Sequence, residues 1–150
     1  MLKYSKILCA FEFDAASEAA LSMASLLAEE TNATLYVLHI ARVPTQDQDV
    51  PLPFDEDPRW VREARERLTH LVHNIVKVKV NCVIDVRSGV PDNDIARTAE
   101  DLAVDLIVMA THGRTGLDHF IQGSITEEVI REAACPVLVL HGAVPKSATT

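Results

Sequence analysis

The groups able to do chemistry concentrate toward the C-terminal end of the chain. Ala110-Thr111-His112-Gly113-Arg114-Thr115-Gly116 follows an apolar run, and Gly123-Ser124 stands just before a helical pattern. Glycine has no Cβ, so neighbouring backbone N–H groups can approach a ligand closely. The first turn of a helix presents unpaired N–H donors and a partial positive charge, which together stabilise a phosphate. Ser124 adds a hydroxyl donor, and Arg114 either screens phosphate charge or remains in solvent. The same residues also have a purely structural reading. Gly113 and Gly116 then serve only as turn residues, and Ser124 caps its own helix with Glu127 completing the capping box. Neither a G-x-x-x-x-G-K-[ST] loop nor a G-x-G-x-x-G turn occurs, so the common nucleotide fingerprints are absent.

Other reactive side chains are dispersed. His112 and His119 flank the loop and His39 closes an earlier apolar run, but no Ser-His-Asp spacing, metal-ligand cluster or base for an attacking water accompanies them. No catalytic residue and no metal ligand is assigned. His70 and His73 are expected on the exposed edge of a helix. Cys9, Cys82 and Cys135 are odd in number, far apart and without a Cys-x-x-Cys pair. Each sits in an apolar run, which predicts reduced, buried thiols and suits a cytoplasmic protein.

Short apolar runs alternate with helical patterns, and these elements must position the loop. Lys6 to Phe11 reads as a first strand. Asp14 caps a helix through about Thr31 with the stripe Ala20, Met23, Ala24 and Leu27, and Asn32 suits the left-handed position after it. Ala33 to Ile40 is a second strand. Arg42 to Asp57 contains Pro44, Pro51 and Pro53 and lacks apolar period, which predicts a mobile excursion. Pro58 opens a helix with the stripe Val61, Ala64, Leu68, Leu71 and Ile75. Val78 to Val86 is a third strand. A third helix starts at Gly89-Val90-Pro91-Asp92, with Ile95, Ala99 and Leu102 inward. Asp105 to Ala110 is a fourth strand, Thr111 to Gln122 a loop, Ser124 to Ala134 a fourth helix, and Pro136 to Leu140 the last strand. A frayed tail from Gly142 is expected.

The alternation implies an α/β fold: a five-stranded parallel sheet with helices on both faces, Rossmann-like, as one domain over 1–150. Ligands of such sheets bind beyond the carboxyl ends of the strands where the winding reverses. The ends of strands one, two and four should therefore frame any pocket. The formal net charge is −8. That balance argues against nucleic acid as a partner, and no apolar stretch approaches a membrane span, so a soluble cytoplasmic chain is expected. An apolar last strand at the sheet edge, Val137 to Leu140, is an aggregation hazard that pairing with a second copy would remove.

The segment VMATHGRTGLDHFIQGSITEEVIREAACPVLVL, residues 108 to 140, resembles the C-terminal signature of the universal stress protein family. The nucleotide-binding branch of that family carries Gly, two residues, Gly, nine residues, Gly, then Ser or Thr. Gly113, Gly123 and Ser124 match this spacing, with Ala110 in place of the first glycine. The opening KILCAFEFDAASEAAL is similar to the family's first strand and helix. The likeness covers almost the whole chain and is weakest over residues 42 to 60.

The resemblance implies an adenine nucleotide alpha hydrolase-like fold, a homodimer through the last strand, and ATP (or AMP, or another adenine nucleotide) with Mg²⁺ held through the phosphates. It places Ala10 and Glu12 near the adenosine, Glu12 standing where the family has aspartate. Ile40 falls where backbone meets the adenine edge. Ala110 and Gly113 lie along ribose and phosphates, and Gly123, Ser124 and Ile125 wrap the phosphates. A stress-response binding module is the reading these residues support. A slow ATP hydrolase on the same site, or a scaffold that binds no nucleotide, are its alternatives.

Overall fold

A computed structural model describes residues 3–43, 57–111 and 125–141. Its sheet has five parallel strands in the order β3-β2-β1-β4-β5. The strands are β1 (Lys6–Ala10), β2 (Thr34–Ala41), β3 (Cys82–Ser88), β4 (Leu106–Thr111) and β5 (Val137–His141). The helices are α1 (Ala15–Thr31), α2 (Arg59–Ile75) and α3 (Pro91–Leu102), and residues 125–132 are helical as well (α4). Most of the expected excursion over residues 42–57, the expected loop after strand four and the expected tail lie outside the described residues.

Parallel strands need crossover connections, and these cover both faces of a sheet. The side chains show it directly. Ile7, Cys9, Leu35, Val37, Leu106 and Val108 face one core, closed by α1 and α2. Their neighbours in sequence, Leu8, Leu38, Ile40, Ile107 and Met109, face a second core closed by α3 and α4. Successive strand residues point to opposite faces, so a strand buried twice must be apolar at nearly every position. That is why the strands read as continuous apolar runs. Full burial of each such side chain stabilises the fold by about 1.5–3 kcal/mol.

The first helix begins and ends where its cap residues dictate. The Asp14 carboxylate accepts a hydrogen bond from the Ser17 N–H at 2.7 Å, and Asn32 takes the left-handed conformation with φ 58°. Its buried face differs from the expected stripe. Ala20 and Ala24 are fully buried, but Met23 is 41% exposed and Leu21 and Ala28 point inward instead. The buried face runs through Ala20, Leu21, Ala24 and Ala28, and its three alanines let α1 lie close to β1 and β4. The third strand also begins later than expected. Residues 78–80 form a turn and Val78 is fully exposed, because β2 starts pairing with β3 only at Cys82, opposite Leu35.

The bottom of the central pair is clamped. The Asp105 carboxylate accepts from the Ser5 and Lys6 N–H groups at 2.9 and 3.2 Å, and Lys6 Nζ donates to the Leu102 carbonyl at 3.0 Å. The end of α3 is therefore tied to the start of β1, and β4 enters beside it in register.

Between that clamp and α3 stands Ala103, an alanine at φ 54°. A left-handed alanine is strained by about 1–2 kcal/mol, whereas glycine there is relaxed but loses more freedom on folding. Ala103→Gly should raise stability by about 0.5–1 kcal/mol. A urea midpoint that stays put or falls, at unchanged slope, would contradict the strain.

Candidate functional site

The strand order reverses at β1, where the chain first winds outward to β2 and β3 and then returns to β4 and β5. Over the carboxyl ends of β1 and β2 lies a cavity of about 360 Å³. Ala10, Phe11 and Glu12 line it from the end of β1, Leu38 to Ile40 and Arg42 from β2, Pro91 and Ile95 from α3, and Ile125 from α4. Four residues singled out in the sequence, Ala10, Glu12, Ile40 and Ile125, thus meet in one place. Ala110 does not line this cavity. It sits within β4 and packs against the α1 and α2 side of the sheet, opposite Leu140. Its φ is not positive, so alanine is accommodated there without strain. Gly113, Arg114, Gly123 and Ser124 lie outside the described residues.

The walls follow from local chemistry. Ala10, Leu38, Ile40, Ile95 and Ile125 belong to the second core, so the cavity floor is apolar. Proline suits the first position of a helix, where its missing N–H is no loss, and Pro91 takes that place in α3. The Asp94 carboxylate reaches back to the Val90 N–H at 2.6 Å. Gly89 makes room for it, since a Cβ there would stand 2.1 Å from Asp94 Oδ2. A side chain at 89 would push the Asp94 carboxylate away from the Val90 N–H, so glycine there favours this contact at the start of α3.

The turn from β1 into α1 carries the site's least expected feature. Phe13 has φ 59°, a conformation costly for a bulky residue by about 1–3 kcal/mol. It is held by rings and charge. Phe11 meets it edge-on at 5.3 Å and His39 at 4.7 Å, while the Arg67 guanidinium lies 4.4 Å over its face. The Glu12 N–H donates to Ser17 Oγ at 3.0 Å, which ties the turn to the first helical turn. No glycine or asparagine marks position 13, so sequence reasoning had no signal for this turn. It also missed Arg42, Pro91 and Ile95 as cavity residues, because only the sheet topology brings α3 over the end of β2.

His39 sits beneath this turn. Its Nδ1 lies 2.7 Å from the Phe11 carbonyl oxygen. A carbonyl only accepts, so Nδ1 carries the proton and Nε2 is left as an acceptor in the neutral ring. Burial holds its pKa below the usual histidine value; the Phe11 carbonyl opposes this, and the nearby Arg67 charge adds to it. The thiols stay protonated at neutral pH. Burial pushes Cys82 up to about 11 and raises Cys9 further, with Cys82 adding to the effect. Cys135 is raised by burial and by the Asp105 charge, against the Ile107 N–H. All three are free, but only Cys9 is fully buried. Cys82 lies in an edge strand and Cys135 just before one, where one side of each meets solvent.

An all-parallel sheet, covered on both faces and open at its carboxyl end beside the strand reversal, defines a doubly wound α/β protein. Within that class the chain belongs to the universal stress protein family, whose family model matches residues 3–141. Universal stress protein A homolog 1 of Coxiella burnetii is 34% identical over 143 residues, spanning 93% of this chain and 97% of that protein. Among solved structures, that of MJ0577 from Methanocaldococcus jannaschii is similar with a TM-score of 0.78 and 26% identity, covering 95% of this chain and 99% of that one. The universal stress protein from Archaeoglobus fulgidus in complex with dAMP has a TM-score of 0.65 and 24% identity, covering 92% and 98%. No helix among the described residues is long and apolar enough to cross a membrane.

The His39 environment fixes a pH dependence. Its folded pKa lies below the ordinary value of 6.5, so the unfolded chain binds the extra proton first. Stability from this group is complete above that value and declines as pH falls below it toward the lowered folded pKa. A series of urea midpoints should show this decline, and His39→Gln should flatten it. An unchanged acid limb in the variant would remove His39 as its source.

Proposed function

We propose that this chain binds an adenine nucleotide, ATP foremost, in the cavity over β1 and β2, and works as a homodimeric stress-response signalling module. One observation carries the reading. Ala10, Glu12, Ile40 and Ile125, spread over most of the sequence, line a single cavity beside the strand reversal. Ligand pockets of about 300–1,000 Å³ are usual, and this one, at about 360 Å³, suits the adenosine part of a nucleotide. The apolar floor of Leu38, Ile40 and Ile95 would take the base, with the Ile40 backbone at its edge. Glu12, on the exposed rim, would accept a ribose hydroxyl. The phosphates would then run toward Ala110, Gly113, Arg114, Gly123, Ser124 and Ile125, as the glycine spacing of the family suggests.

Among the described residues no group of three His, Cys, Asp or Glu side chains could hold a metal ion. Mg²⁺ would be carried mainly by the phosphates. The similar Archaeoglobus protein bears dAMP, but its likeness to this chain speaks for the fold; the lining of this chain's own cavity speaks for the ligand.

Dimerisation would use β5, an edge strand paired only with β4 among the described strands. Leu138 is 38% exposed on it, and α1, which packs against β5, exposes Met23 and Leu26. An apolar edge of this kind is stabilised by pairing Val137 to Leu140 with a second copy.

Equilibrium dialysis with labelled ATP should show retention, weakened roughly tenfold by Glu12→Ala through loss of one charge-assisted hydrogen bond. No retention at millimolar nucleotide would end the proposal. Light scattering should give twice the chain mass of 16.5 kDa, and Leu138→Arg should shift the protein toward that single mass. A wild-type chain that is monomeric at every concentration would exclude the β5 dimer.

A further inference from the structure

Glu12 lies between two phenylalanines whose rings pack on the first core. Phe11 is fully buried in that core, and Phe13 packs against it from the edge. Glu12 itself lines the cavity over β1 and β2, whose floor belongs to the second core. The Phe13 ring borders a different cavity, also of about 360 Å³, on the α2 side of the sheet with Arg42 and Trp60, whose ring nitrogen is buried. The direction of Glu12 is therefore set by how its two neighbours are held.

The backbone on either side of residue 13 is fixed by hydrogen bonds. The Phe11 N–H donates to the Leu38 carbonyl at 2.8 Å, and the Phe11 carbonyl lies 2.7 Å from His39 Nδ1. The Glu12 N–H donates to Ser17 Oγ at 3.0 Å, and Ser17 is buried. The Asp14 carboxylate caps α1 through the Ser17 N–H, and the Asp14 carbonyl accepts from the Glu18 N–H at 3.0 Å. Between these anchors the left-handed turn at Phe13, φ 59°, joins strand to helix and leaves Glu12 at the cavity rim. Glycine or asparagine makes such a turn readily, whereas phenylalanine makes it against its own preference. Strain of this kind persists only where the surroundings over-determine it, and it gathers at ligand sites. Here the surroundings are the Phe11 ring at 5.3 Å, the His39 ring at 4.7 Å and the Arg67 guanidinium 4.4 Å above the ring face. His39 holds both phenylalanines, one through its Nδ1 proton and the other through its ring.

We infer that Phe13 is a positioning residue for nucleotide binding: its ring, locked against Phe11 and His39, holds the left-handed turn that keeps Glu12 directed at the ribose. This role rests on the nucleotide reading of the cavity. Glycine at 13 would enter the turn easily and leave it as easily, since it populates positive and negative φ about equally. Phenylalanine accepts an unfavourable backbone in return for a fixed turn, so the carboxylate is already ordered when ligand arrives.

Phe13→Gly removes the ring without straining the backbone, and Phe13→Tyr keeps the ring. In equilibrium dialysis Phe13→Gly should weaken ATP about threefold to tenfold, the effect of having to re-order one side chain on binding. Phe13→Tyr should match the wild type. In a Glu12→Ala background Phe13→Gly should cause no further loss, because its effect passes through Glu12. In ligand-free protein the Glu12 N–H should exchange several-fold faster in Phe13→Gly than in the wild type or Phe13→Tyr, its bond to Ser17 Oγ no longer being held. Phe13→Asn, which also accepts a left-handed turn, takes the place of the glycine variant if that one does not fold. Equal ATP retention by Phe13→Gly and wild type, the same loss repeated in the Glu12→Ala background, or an unchanged exchange rate overturns the role of Phe13 and leaves the nucleotide site standing. A wild type that retains no ATP overturns the site itself, and the role falls with it.

Discussion

Two-sided burial of β1 is the constraint from which the rest of this molecule follows. Ile7, Leu8 and Cys9 are fully inaccessible, with β2 and β4 on their flanks and a core on each face. A strand enclosed in this way can meet solvent or ligand only at its ends. Its amino end is taken up by the Asp105 and Lys6 clamp. The carboxyl end, Ala10 to Phe13, is left as the one stretch of this strand where chemistry can reach a ligand. Site and fold are thus consequences of the same burial.

That short exit must serve two cavities at once. The Phe11 carbonyl, which has left the β ladder, is satisfied by His39 Nδ1, so the peptide group at the end of the strand is not left bare. Beyond it Glu12 turns toward the α3 and α4 side, and Phe13, held in a left-handed conformation, turns its ring toward α2. The strain at Phe13 is offset by the rings of Phe11 and His39 and by the Arg67 charge above it. His39 and Arg42 border both cavities. The end of β2 is therefore a wall common to both cavities.

Net charge is a poor guide to local charge. The chain is acidic, yet two guanidiniums, Arg42 and Arg67, stand beside the end of β2. Exposed pairs such as Arg59 with Glu63 and Arg131 with Glu128 contribute little to stability.

Much of this was legible in one dimension. Burial on both faces writes itself into a strand as a continuous apolar run, and helix ends write themselves into capping residues, so β1, β2, β4, the Asp14 and Asn32 caps and the parallel α/β class followed from residue order. Residues 10, 12, 40 and 125 were named from a family likeness, and the place where they meet came from strand order. What residue order does not encode is contact between distant segments. Val78 reads as strand but finds no partner strand opposite it, and Met23 reads as core but lies off the face that Ala20, Leu21, Ala24 and Ala28 turn to the sheet. Phe13 adopts a backbone conformation that its own chemistry disfavours, and Trp60 buries a donor that looks ordinary in sequence. Each of these depends on atoms brought close by packing across many residues, and only the tertiary structure decides them.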